Sequence, residues 1–172
     1  MSINNLIGYY SGNLQYNICN NNHLKFDSYE SGQYPSYNFL KLYSNSILSL
    51  NISNNIQIKY LPKLTNLKTL ICNNCPYLSE NSLNQLIILE YLNISGNRQL
   101  VNLSNLMNLK ILICRDCLNL FNGSLKRMLN LEYLDISDND RIRSLLDLKN
   151  LKTLICINCP YLKNEFLTQL TK

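Results

Sequence analysis

The chain has 172 residues, 46% hydrophobic and 16% charged, which is enough apolar material for one core and excludes a compositionally disordered protein. Its net charge of +5 comes from basic residues interleaved with Asp and Glu, so no cationic run marks a nucleic-acid or anionic-membrane binder. The amino-terminal stretch lacks a charged region followed by an apolar one, and no segment reaches the ~18 uninterrupted apolar residues of a membrane span. A soluble cytoplasmic protein without nucleic-acid or membrane partners is therefore expected.

Residues 1–13 match no later segment and read as a lead-in or partial cap. From Leu14 a pattern begins that recurs to the carboxyl end. LKTLICNNCPYL at Leu67 returns as LKILICRDCLNL at Leu109 and LKTLICINCPYL at Leu151, so the offsets are 109 − 67 = 42 and 151 − 109 = 42. Alternating with these are ILSLNISNNIQI at Ile47, LEYLNISGNRQL at Leu89 and LEYLDISDNDRI at Leu131, again 42 apart. With the degenerate LQYNICNNNHL at Leu14, about seven repeats start at 14, 47, 67, 89, 109, 131 and 151. The first is longer, 47 − 14 = 33 residues, and its surplus lies in a Tyr-rich insertion near 26–46. A single solenoid over 14–172 is expected.

Within each repeat Tyr91-Leu92-Asn93-Ile94-Ser95 and its counterparts alternate apolar and other residues, the period of a half-buried strand. The units at 67, 109 and 151 continue into SENSLNQLIIL (79–89), NGSLKRML (122–129) and NEFLTQL (164–170), short apolar helical patterns behind Ser or Asn N-caps. The alternate units have room for only a turn or two of tight helix.

The pattern L-x-x-L-x-[IC]-x-x-[NC]-x-x-[LI] resembles the leucine-rich repeat, in the short 20–22-residue intracellular form, over roughly 14–172. The resemblance implies an α/β architecture: a right-handed solenoid bent into a horseshoe arc, with one short parallel strand per repeat and short helices or 3-10 turns on the convex side. It also implies a partner-binding concave strand face. The bias toward Asn, Ile, Leu, Tyr and Lys, without Ala or Trp, resembles coding from AT-rich genomes such as those of large DNA viruses of amoebae.

Six of the seven cysteines form C-x-x-C pairs, Cys72/Cys75, Cys114/Cys117 and Cys156/Cys159, a spacing that suits zinc or thiol redox chemistry. Within the repeat, the first of each pair replaces Ile52, Ile94 and Ile136, and the second replaces Asn55, Asn97 and Asn139. Cysteines of like units would lie two strand spacings apart, about 10 Å, beyond the ~7 Å Cα limit of a disulfide. Reduced core cysteines are the expectation, with no metal or other cofactor. A thiol-redox or zinc protein is the alternative.

The first variable strand position alternates Lys68, Glu90, Lys110, Glu132 and Lys152, which predicts an ion-pair ladder that sets register. The next columns carry Tyr91, Ile111 and Tyr133, then Ile71, Asn93, Ile113, Asp135 and Ile155, with Arg115 beyond. These nine residues are the expected partner-binding surface, since Tyr and exposed apolar groups concentrate at protein interfaces. No nucleophile–base arrangement, phosphate loop or zinc-protease motif occurs, and the lone His23 is expected in an exposed loop. A non-enzymatic protein-interaction scaffold is the leading expectation, and an adaptor selecting clients for a ubiquitin ligase or phosphatase is a further alternative by family analogy. No polar capping repeat follows Leu151, so either the last helix shields that end or the open edge pairs two copies into a homodimer.

Overall fold

The computed structural model describes the backbone of residues 16–19 and 23–26 and the whole of residues 34–164. The expected lead-in over 1–13 and most of the helical pattern at 164–170 lie outside these residues. Among the described residues one eight-stranded sheet runs in strict sequence order. It begins with β1 (Tyr16–Cys19) and β2 (His23–Phe26), paired antiparallel in the register Tyr16↔Phe26 to Cys19↔His23.

This corrects the expectation of a parallel strand at 14. Only residues 20–22 separate β1 from β2, and a parallel crossover needs about a dozen residues, so the chain can only turn back on itself. Tyr16 and Ile18 therefore pair with β2 and not with the repeat that follows, and His23, expected in a loop, opens β2. The crossover from β2 to β3 (Ile47–Asn51) is long enough to run parallel. It contains helix α1 (Tyr37–Leu42), which starts where Ser36 accepts a hydrogen bond from the Phe39 amide at 3.2 Å. Leu40 of α1 is wholly buried and the Tyr34 hydroxyl donates to Ser53 O at 2.8 Å, so the latter part of the 26–46 insertion is packed on the repeats.

From β3 onward the pattern is regular. β4 (Thr69–Ile71), β5 (Tyr91–Asn93), β6 (Ile111–Ile113), β7 (Tyr133–Asp135) and β8 (Thr153–Ile155) follow, each parallel to the last. The chain is a solenoid of parallel strands. Its register aligns Leu50, Leu70, Leu92, Leu112, Leu134 and Leu154 in one row. All but Leu154 are fully buried, with the Leu or Ile three residues earlier and the Ile or Cys two residues later. Burying a Leu side chain is worth about 1.5–3 kcal/mol, and only stacking on neighbouring coils buries these, so no coil is stable alone.

Each coil leaves its strand through a residue in the left-handed region. Asn54, Asn74, Asp116, Asp138 and Asn158 have φ between 51° and 64°, and Gly96 has φ 76°. Asn and Asp are the side chains that tolerate this conformation best, which explains why this column holds nothing else but Gly. The turns bond to one another through Asn54 N to Asn73 O, Asn74 N to Ser95 O and Gly96 N to Arg115 O, at 2.7–2.9 Å.

Beneath the turns, Asn and Cys alternate. Asn97 donates from Nδ2 to Cys72 O and Ile94 O, and accepts at Oδ1 from Cys75 N. Asn139 repeats this with Cys114 O, Ile136 O and Cys117 N. The cysteines instead aim a thiol at a carbonyl upstream, Cys75 at Ile52 O and Cys117 at Ile94 O. Each Asn thus satisfies buried backbone groups in its own coil and in the Cys coil before it.

The longer coils carry α2 (Glu80–Asn84) and α3 (Asn122–Leu125), within the stretches expected to be helical. Ser79 caps α2 as expected, whereas the α3 N-cap is Phe121, and Asn122 is its first helical residue. The Asn122 side chain is used elsewhere, accepting from the Arg143 and Ser144 amides of the next coil. Glu80, at the equivalent position, accepts from Val101 and Asn102. Among the described residues no helix is long and apolar enough to cross a membrane.

Candidate interaction surface

Because strand side chains alternate, the face of the sheet opposite the core is built from two register rows. Thr69, Tyr91, Ile111, Tyr133 and Thr153 form one, and Ile71, Asn93, Ile113, Asp135 and Ile155 the other. The structure therefore brings eight of the nine predicted residues together on neighbouring strands, and Arg115 follows two residues after Ile113. Tyr91, Ile111, Tyr133, Ile71, Ile113 and Ile155 are half-buried, with their outer surfaces open.

The polar members are less available. Asn93 Oδ1 accepts from Ser95 N at 3.2 Å and from Ser95 Oγ at 2.9 Å. Asn51 makes the same turn with Ser53 N. Asp135 is buried, which corrects its expected presentation on the open face. One of its oxygens accepts from Ser137 N and Oγ, and the other lies 2.5 Å from Arg115 Nε. The Asp135 side chain is 1% exposed and that of Arg115 53%, so the guanidinium caps the carboxylate and is itself what a partner would meet. The Asn-x-Ser triplets, legible as glycosylation sequons, are at positions 51 and 93 strand-ending turns in which the side chain bonds its own backbone.

Upstream of the strands, the alternating column forms the expected ladder. Glu90 is shared by Lys68 at 2.9 Å and Lys110 at 2.8 Å, and Glu132 meets Lys152 at 2.7 Å. Hydrogen bonds first from Lys110 and then from Lys68 hold Glu90 down to about 2, and Lys152 lowers Glu132 likewise. These lysines and glutamates, with Ile88, Asn108, Asn130 and Asn150, line a groove of about 680 Å3. Sequence reasoning missed this groove. Its signal was the Asn preceding the repeat start at 66, 108, 130 and 150, whose amide bonds the previous coil.

The cysteines divide in two groups. Cys72, Cys75, Cys114 and Cys117 are fully buried, and burial pushes the thiols up, to about 11 for Cys75 and about 12 for Cys117. A thiol so disfavoured from ionising is a poor nucleophile and a poor metal ligand at neutral pH. Cys156 is exposed and Cys159 partly so, which corrects the expectation that all six are core. They sit in the coil of β8, the outermost strand among the described residues, where no further described coil covers them. Among the described residues no cluster of three or more His, Cys, Asp or Glu side chains could hold a metal ion. No family model matches the chain, and no curated protein matches it.

Proposed function

We propose that the protein is a non-enzymatic interaction scaffold of leucine-rich-repeat type, acting in the cytoplasm and binding a protein partner on the open sheet face. The observation that carries this reading is the aligned Tyr91–Ile111–Tyr133 row beside Ile71, Ile113 and Ile155, an aromatic and aliphatic patch left half-open on the sheet face opposite the leucine core. Aromatic side chains anchor interfaces because they bury large area with few rotatable bonds, and a rim arginine such as Arg115 supplies direction. Within the same proposal, two copies meet through the β8 edge.

The test is affinity capture from a cell lysate by the wild type and by an Ile113→Asp/Tyr133→Asp variant whose fold is verified by circular dichroism. A protein retained by the wild type and lost by the variant supports the sheet-face site. Equal retention by both discards it. A strictly monomeric mass at high concentration removes the β8 contact.

A further inference from the structure

The groove upstream of the strands has a second component. One residue before each groove-lining Ile88, Asn108 and Asn130 stand Ile87, Met107 and Leu129, in three successive coils, and these apolar side chains are 55%, 44% and 57% exposed. Their backbone is pinned: Asn108, Asn130 and Asn150 each donate to the carbonyl of Ile87, Met107 and Leu129 at 2.8, 3.0 and 2.7 Å. The three therefore form a fixed apolar stripe running across the coils, parallel to the Lys/Glu ladder. In the next coil the same position is Lys149.

The charge around the stripe is lopsided. The windows 62–68, 84–90, 104–110, 126–132 and 146–152, each ending on a ladder residue, hold seven Lys or Arg and three Asp or Glu, a balance of 7 − 3 = +4. The whole chain carries +5, so most of its excess lies in these segments that lead into the ladder. A phosphate backbone would use the charge and waste the apolar stripe. A polypeptide that is acidic on one side and aliphatic on the other uses both.

The spacing selects its conformation. Neighbouring coils follow at about 4.8 Å, while an α-helix returns a side chain to the same face about every 5.4 Å. A helix laid along the stripe thus presents residues i, i+3 or i+4, and i+7 to three successive coils with about 1 Å of accumulated mismatch. An extended strand repeats a face about every 6.7 Å and loses register by the second coil.

We infer that the Ile87–Met107–Leu129 stripe and the lysine-bearing groove beside it bind an acidic amphipathic helix of a partner polypeptide. Aliphatic residues of that helix cover the stripe, and carboxylates along its flank meet Lys149 and compete with Glu90 and Glu132 for the ladder lysines Lys110 and Lys152. This surface is distinct from the sheet face and does not depend on it.

The probe is a phage library of random 16-residue peptides panned on the full chain. Binders are then measured as free peptides against three proteins: wild type, Met107→Glu/Leu129→Glu, and Ile113→Asp/Tyr133→Asp. The expected binders carry aliphatic residues three and four apart with Asp or Glu between them and become helical when bound. They lose at least about tenfold in affinity for the stripe variant, as for truncated interface anchors, and keep it for the sheet-face variant. Raising salt weakens them. Binders indifferent to the stripe variant, binders of extended conformation or basic sequence, or no binders from a library that yields them on a control protein would each overturn the inference. So would wild-type self-association abolished by the stripe variant, which assigns the stripe to a second copy, or a single-stranded oligonucleotide that binds in a stripe-dependent way.

Discussion

The side-chain amide of Asn97 donates to the carbonyl oxygen of Cys72 at 2.6 Å, so a buried residue of one coil satisfies the buried backbone of the coil before it. The same side chain accepts from Cys75 N at 2.7 Å. Asn97→Ala removes all these partners at once and leaves buried carbonyl and amide groups without hydrogen bonds, each costing about 1–3 kcal/mol. A loss of about 3 kcal/mol or more in urea unfolding is expected. Cys75→Ala deletes only weak thiol contacts to Ile52 O and Asn73 O and is expected to cost about 1 kcal/mol. Equal costs for the two would show that Asn97 acts through packing alone.

The thiols provide a readout of coil burial. In a Cys19→Ser background, a thiol reagent at neutral pH is expected to modify Cys156 and Cys159 in the native protein. Cys72, Cys75, Cys114 and Cys117 should react only on unfolding, because they are both inaccessible and held protonated. Mass spectrometry of the labelled peptides reads the division directly. Rapid labelling of Cys72 or Cys114 would contradict the packed core.

Gly96 is the one non-Asx residue in the left-handed column, at φ 76°, and a Cβ there would lie 2.0 Å from Asn74 Oδ1. Gly96→Ala is expected to destabilise by about 1–2 kcal/mol through the backbone conformation alone. The contact with Asn74 adds to this loss, and a second change, Asn74→Gly, which suits its own φ of 52°, should clear the contact and leave the conformational cost. The reverse change, Asn158→Gly at φ 55°, relieves a milder strain and is expected to be nearly neutral. Thermal unfolding of these variants decides the point.

Glu90 gives an acid-side signature. Its folded-state carboxyl sits near 2, below the ordinary 4.5, because Lys110 and Lys68 bond it. A depressed carboxyl contributes stability that is fully present above its unfolded value and is lost as pH falls through its folded one. The stability gap between wild type and Glu90→Gln should therefore persist from neutral pH to about 4.5 and close toward about 2. Salt should narrow it, since the ladder is solvent-exposed. Urea midpoints measured across that range, with and without salt, show whether the gap follows this course.

Most of the repeated architecture could be read from the chain because identical physics recurs in every coil. Leu70, Leu92, Leu112 and Leu134 must be buried for any of them to be, and the 42-residue period is the trace of that requirement. The ion-pair ladder was legible for the same reason, Lys and Glu alternating at one strand position. What escaped was non-periodic or depended on a neighbour. The antiparallel β1–β2 hairpin follows from a three-residue gap that a repeat template reads straight through. Asp135 is spelled like an exposed strand residue, and only the arginine of the preceding coil makes it a covered one. Cys156 has the same local sequence as Cys72 but for Ile157 in place of Asn73, and its exposure comes from what stands beside its coil. The upstream groove was hidden by reading strands for their faces and not for their ends.

The alternation of Asn97 with Cys75 and Cys117 means that the solenoid counts in twos. Excising residues 67–108, 42 in all, sets the coil of Asn55 against that of Cys117 and keeps Asn beside Cys throughout. Excising the 20 residues 89–108 removes one whole coil just as cleanly, yet it faces Cys75 with Cys117 and Lys68 with Lys110. Cys75 N and Cys72 O would then have no amide to meet, and two ammonium groups would share the place of an ion pair. The indivisible unit of this protein is a couplet, and any change in its length that keeps the fold must add or remove one whole.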